Sequence, residues 1–267
     1  MAKLQDMFTH ARRAASGGNI GFLGRSKGET RPRAAAIVLE LTKVTAGDAE
    51  AAVKAGADGL LFSWDGKDSA QLDKLASEIA AAKTASEEVV SGLHITGGWD
   101  HIDHETLTHI KERDIQYLVL PLEAPASLLG QEVKDLEMVV TVPMRSGDMY
   151  PLFIRNLTAF DNIAGVLLDF GLGNNINEMT IEEVLQYRAV REAVRFPALI
   201  PIGSQLDKTA TYTLMALGVQ ALIISTATVS ASVQEQIKSL RGILEDIHEE
   251  KKEASSHKTG LTPQESR

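Results

Sequence analysis

Short apolar runs alternate along this chain with longer stretches whose apolar positions recur every three or four residues. The short runs, too brief for helices, cover 35–41, 59–62, 90–95, 117–120, 138–142, 165–169, 198–202 and 221–224. Several, such as ALIPI and ALIIS, are apolar almost throughout, which is what a strand buried on both faces requires. Helical periodicity fills most of the gaps, over 46–55, 69–85, 105–113, 181–195 and 208–217, with Gly56 ending the first of these. The helices expected around 126–133 and 149–156 are short, and a long closing helix is expected over 229–250.

Alternating strand and helix units imply a parallel sheet. Eight such units predict an α/β fold, a single (β/α)8 TIM barrel over 34–250. An open doubly wound sheet is the alternative. It requires a glycine-rich turn after the first strand, where this chain has Glu40-Leu41-Thr42-Lys43. Residues 1–33 precede the barrel as a helical, basic arm. Its stripe Leu4, Phe8, Ala11 and Ala15 either plugs the barrel floor or joins a subunit interface. Gly18, Gly21 and Gly24 neither follow a strand nor open a helix, so they read as a connection and not a nucleotide loop. The polar residues 251–267 are expected to be a disordered tail.

Composition narrows the function classes. A length of 267 residues with 44% hydrophobic content supports one large core, and the net charge of −9 argues against nucleic acid as a partner. The absence of cysteine removes thiolate metal sites, iron–sulfur ligation and cysteine nucleophiles. No apolar run reaches the ~18–20 residues of a membrane span, and the first residues lack a secretory pattern. The expectation is a cytoplasmic protein with no membrane partner. Residues 1–33 carry seven basic residues against two acids. That charge makes the arm a candidate for contact with an acidic partner, including a second copy of the chain.

In a barrel of this kind chemistry gathers after the strand ends. Glu40 and Lys43 follow the first strand, Trp64-Asp65 the second, Trp99-Asp100 the third, Glu123 the fourth, Arg145 the fifth and Asp169 the sixth. Glu40, Lys43 and Asp169 are the candidate catalytic residues, suited to acid–base work, with a structural ion pair as the alternative use of such groups. Trp64 and Trp99 offer flat faces to a base, flavin or sugar, or else pack loops over the mouth. His94, His101 and His104 lie near Asp100 and Asp103. Asp103 reads as a helix cap, and no metal site is assigned.

The seventh and eighth strands end in Gly203-Ser204 and Ser225-Thr226. Small hydroxyl-bearing turns at adjacent strand ends can cradle a phosphate. The segment PIGS, then a helix and LGVQALIISTA, resembles the phosphate-binding (β/α)8-barrel superfamily, which includes indole-glycerol-phosphate synthase, thiazole synthase, thiamine-phosphate synthase and flavin-binding barrels. The second turn departs from the pattern, because Ser225 stands where members have glycine. The resemblance implies that Gly203, Ser204, Ser225 and Thr226 hold a phosphorylated ligand or flavin mononucleotide, beside lyase-like proton transfer. The alternative is a non-catalytic barrel serving as a binding or assembly subunit.

Overall fold

A computed structural model describes residues 4–12, 32–145, 147, 149–172, 176–203, 206–227 and 232–259, with side chains up to residue 253. Eight parallel strands close into one barrel: β1 (Ala36–Leu41), β2 (Gly59–Trp64), β3 (Val90–Ile95), β4 (Tyr117–Leu120), β5 (Glu137–Pro143), β6 (Ile163–Asp169), β7 (Ala198–Ile202) and β8 (Ala221–Ser225). They pair in sequence order, and β8 closes onto β1 through Ala36↔Ala221 to Glu40↔Ser225. The helices are α1 (Leu4–Arg12), α2 (Asp48–Ala55), α3 (Ser69–Ala85), α4 (His104–Glu112), α5 (Tyr150–Arg155), α6 (Ile181–Val194), α7 (Lys208–Ala216) and α8 (Val233–Thr259). The single (β/α)8 barrel expected from the alternating pattern is the observed fold.

Three local differences have physical causes. Between β4 and β5 the chain forms only a 3-10 turn, Ala126–Gly130, entered from Pro125. β2 runs to Trp64, two residues past its apolar run. The helix expected to end at residue 250 continues to Thr259, so residues 251–259 are not the disordered tail the composition suggested. Lys208 Nζ at 2.5 Å and the Tyr212 hydroxyl both bind the Glu250 carboxylate, tying that helix to α7 just before its polar extension. Among the described residues, no helix is long and apolar enough to cross a membrane.

The strand period of two splits the core into two layers. Outward-facing residues such as Ile37, Leu60 and Leu168 pack under the helices. Inward-facing residues such as Val38, Leu61, Tyr117 and Ile223 fill the barrel together with Leu4, Met7, Phe8 and Ala11 of α1. The arm's apolar stripe is therefore used inside its own chain as a floor. Leu4 N–H donates to Glu137 Oε2 at 2.9 Å, which fixes α1 beneath β5.

Tyr117 fills the barrel interior because Gly92 on the neighbouring strand has no side chain. A Cβ on Gly92 would lie 2.1 Å from the Tyr117 ring. The Tyr117 hydroxyl donates to the Leu60 carbonyl at 3.3 Å.

The floor also carries a repeated polar device. Asp58, Gln116 and Gln220 each stand one residue ahead of an even-numbered strand. Each accepts the backbone N–H of a residue near the start of the preceding strand: Ile37 at 2.8 Å, Ser91 at 2.6 Å and Ala198 at 2.7 Å. These bonds satisfy strand-start donors that the ladder leaves open. Asp58 is further paired with Arg33, whose Nη1 donates to the Gly56 carbonyl at 3.1 Å.

Candidate functional site

The inward alternation of Ala36 and Val38 on β1 carries Glu40 to the upper end of the interior. His94 reaches the same place from β3. Its Nδ1 lies 3.2 Å from Glu40 Oε1, across β2, with side chains 27% and 18% exposed. Both are therefore partly shielded from water and open at the mouth. Ser225, at the end of β8, hydrogen-bonds the same carboxylate. Burial raises the Glu40 carboxyl, but the hydrogen bonds from His94 and Ser225 and the charge of His94 outweigh it. The net effect holds Glu40 below the ordinary glutamate range.

An ionised Glu40 can only accept, so His94 Nδ1 carries the hydrogen of the shared bond. In the neutral imidazole, Nε2 is then the acceptor nitrogen. A carboxylate that orients a histidine through one nitrogen and leaves the other for a reacting group is an acid–base arrangement. Among the described residues, the hydroxyl oxygen of Thr141, which shares the inward face of β5 with Val139, is buried with no hydrogen-bond partner.

The other expected residues are distributed differently. Lys43 and Asp169 are both exposed at the rim, and among the described residues no hydrogen bond or ion pair joins either to Glu40. Glu123 and Arg145 form an exposed pair at 3.5 Å on the same rim. Of the turns expected to hold phosphate, Gly203 follows the end of β7 at Ile202, and Ser204 lies outside the described residues. In the turn after β8 the backbone donors of the described residues, Thr226 and Ala227, are engaged within the chain. Thr226 N–H donates to the Glu40 carbonyl at 2.9 Å, and Thr226 Oγ1 accepts from Thr42 N–H at 3.2 Å. Ala227 N–H points at Ser225 Oγ, 3.4 Å away.

The tryptophans do not face the mouth as a pair. Trp64 lies on the outward face of β2 with Leu60 and Phe62, is buried in the layer under the helices, and donates from Nε1 to the Asp68 carbonyl at 2.9 Å. Trp99 is half-buried against the same layer, at the start of a 3-10 turn. The repeated Trp-Asp sequence flanks a backbone contact. A Cβ on Gly66 would lie 2.1 Å from the Gly97 carbonyl oxygen, and one on Gly98 would lie 2.6 Å from that of Asp65. Two strand-end turns meet where only glycine fits.

Asp103 caps α4, accepting Thr106 N–H at 2.8 Å. His101 and His104 are exposed beside it, away from the Glu40–His94 pair. Among the described residues, no three histidines and carboxylates gather as a metal site would need. His94 is the residue that reading the sequence grouped wrongly, with the two loop histidines. Its place inside the strand VSGLHI, two residues after the inward Gly92, is the signal that separates it from them.

No family model and no curated protein matches this chain. Solved structures do resemble it. An HpcH/HpaI aldolase from Desulfitobacterium hafniense DCB-2 is 9% identical with a TM-score of 0.51, covering 87% of this chain and 96% of its own. N-(5'-phosphoribosyl)anthranilate isomerase from Pyrococcus furiosus is 13% identical with a TM-score of 0.51, covering 79% and 99%. Tryptophan synthase from M. tuberculosis is 14% identical with a TM-score of 0.56, covering 81% and 92%. At such identities the likeness carries the barrel fold and none of the chemistry.

Proposed function

We propose that this barrel is a small-molecule enzyme whose mouth carries out lyase-like proton transfer on a carbonyl or imine compound. The observation that carries the reading is the Glu40–His94 bond at 3.2 Å at the open end of the barrel. His94 Nε2 takes or returns the proton next to the carbonyl. Glu40 holds the tautomer and stabilises the imidazolium that forms, and Ser225 holds Glu40. Lys43 and Asp169 are rim groups that a bound ligand can recruit. A phosphorylated ligand, or flavin mononucleotide, is the narrower case. It would use Gly203 and Ser204 on the β7 side.

The test is hydrogen–deuterium exchange at carbon, followed by NMR in D2O over a panel of 2-oxo acids, aldehydes, ketoses and their phosphate esters. Exchange on at least one class is expected, with His94→Gln lowering it by about 10²–10⁴, the range of general acid–base catalysis. No exchange on any class, with no thermal stabilisation by any panel member or by flavin mononucleotide, would favour the non-catalytic binding or assembly barrel.

A further inference from the structure

α5 and α6 pack side by side with their core faces already covered, through Tyr150 and Ile154 on one and Val190 and Val194 on the other. Their outer faces are apolar nonetheless. Met149, Leu152, Phe153, Phe160, Ile181 and Leu185 are 38–82% exposed, and among the described residues no other large hydrophobic is this exposed. Ile181 and Leu185 stand one turn apart on α6, and Leu152 and Phe153 are adjacent on α5. Phe160 follows the 3-10 turn Asn156–Ala159 that also touches α6.

Six side chains of this size at that exposure present on the order of 600 Å². That is at the top of what a typical monomer leaves open, roughly 300–600 Å². It approaches the ~800 Å² that each partner contributes to a standard interface.

We propose that this face joins two copies of the chain about a two-fold axis, with the α6 helices antiparallel and crossing near Leu185. The occupant follows from the charge order along α6. Its first turn is acidic, with Glu182 and Glu183, and Arg188 stands exposed in its second half, paired along the helix with Glu192 at 2.8 Å, while Arg191 turns inward to the Gly218 carbonyl. An antiparallel pair centred on Leu185 sets position 182 of one copy opposite position 188 of the other, on both sides of the axis. It also opposes the two helix dipoles. Glu182 and Arg188 thus make the patch complementary to itself at two symmetric positions, as well as in apolar surface. α1 does not compete for this role, because its apolar stripe closes the barrel floor. Met149 and Ile181 lie at the starts of α5 and α6, which follow the ends of β5 and β6. The interface therefore borders the mouth.

The test uses the full chain in sedimentation velocity and light scattering across a dilution series. The expected mass is twice 28.8 kDa. L185E and F153E each weaken the dimer by roughly tenfold or more, and together they give a monomer with unchanged circular dichroism, whose melting no longer depends on protein concentration. Because the chain has no cysteine, Leu185→Cys provides a second measurement that does not depend on a disruptive variant. Mild oxidation is expected to cross-link it to a covalent dimer, while Lys74→Cys on α3 forms no cross-link. The proposal is overturned by a wild-type monomer at every concentration, or by a dimer that survives the double substitution. It is overturned equally by a Leu185→Cys variant that cross-links no more than Lys74→Cys, or by a monomer that co-floats with phosphatidylcholine–phosphatidylserine vesicles.

Discussion

Replacing Gly92 with alanine inserts a methyl group into the Tyr117 ring. The added carbon would stand 2.1, 2.3 and 2.5 Å from three ring carbons. Ordinary carbon contacts begin near 3.5 Å, so the ring must retreat by more than about 1 Å. Tyr117 is fully buried among Val119, Leu61 and the α1 floor. Moving it also takes its hydroxyl from the Leu60 carbonyl. Overpacking costs about 1–3 kcal/mol, and the lost hydrogen bond adds about 1 kcal/mol. Gly92→Ala is therefore expected to destabilise by about 2–4 kcal/mol, a large part of the 5–15 kcal/mol that typically holds a domain together. Tyr117→Leu alone opens a cavity and costs a further few kcal/mol. In the double variant the new methyl occupies part of that cavity. The double should be less destabilised than the sum of the singles by about 2 kcal/mol, a coupling typical of residues in direct contact. Urea unfolding of the four proteins measures this, once coincident probes have established two-state behaviour. Additivity to within about 0.5 kcal/mol would refute the steric reading of this pair.

Two further outcomes are expected. Glu40→Gln should cost about 1.5–3 kcal/mol near neutral pH, the worth of hydrogen bonds to a charged group. Because the folded carboxyl sits below the ordinary value of 4.5, this stabilisation is present above pH 4.5 and lost as pH falls through the folded value. The gap between wild type and Glu40→Gln must therefore narrow on acidification, and a gap that widens in acid denaturation curves contradicts the assignment. At the floor, Asp58→Ala leaves Arg33 buried beside a Gly56 carbonyl with no counter-charge. Removal of one partner from such a pair costs about 3–5 kcal/mol, and a thermal or urea measurement showing less than about 1 kcal/mol counts against a structural role for the pair.

The barrel was legible because each strand is an apolar run too short for a helix, and the count of eight left closure as the natural topology. The apolar face of α1 was legible for a similar reason, since Leu4, Phe8 and Ala11 share one helical face, but whether it closed the floor or joined a subunit interface was not, and the packing inside the barrel decides for the floor. Site residues were harder to assign, because they depend on strand parity at the last one or two positions. β2 continues two residues past its apolar run, through Ser63 to Trp64. Trp64 thereby keeps the outward parity of Leu60 and Phe62 instead of entering a loop at the mouth. His94 is the converse. Polar and small neighbours in VSGLHI hide its inward parity, and two nearby loop histidines suggested a cluster that the fold does not make. The helical extension past Glu250 has no apolar stripe to announce it. It rests on continuation of α8 from a segment anchored by Lys208 and Tyr212.

The missing glycine after β8 is best understood through the charge beside it. Where a phosphate corner needs free N–H groups and open backbone, Ser225 gives its hydroxyl to Glu40, and Thr226 N–H is bound to the Glu40 carbonyl. A phosphate seated against Ser225 would lie roughly 4 Å from an ionised carboxylate. At an effective dielectric near 20 that repulsion is about 4 kcal/mol for each unit of charge. A helix terminus returns about 0.3–1 kcal/mol, and a hydrogen bond to a charged group about 1.5–3 kcal/mol. Repulsion wins unless Glu40 is protonated, and its lowered carboxyl runs the other way. Ser225 therefore supports Glu40 at this corner. The ligand group that approaches β8 is expected to be uncharged, with any phosphate kept to the β7 side. A thermal-shift series separates the two cases. Inorganic phosphate should stabilise Glu40→Gln more than the wild type, because only the wild type repels it. Equal or greater stabilisation of the wild type would return the phosphate to the β8 corner.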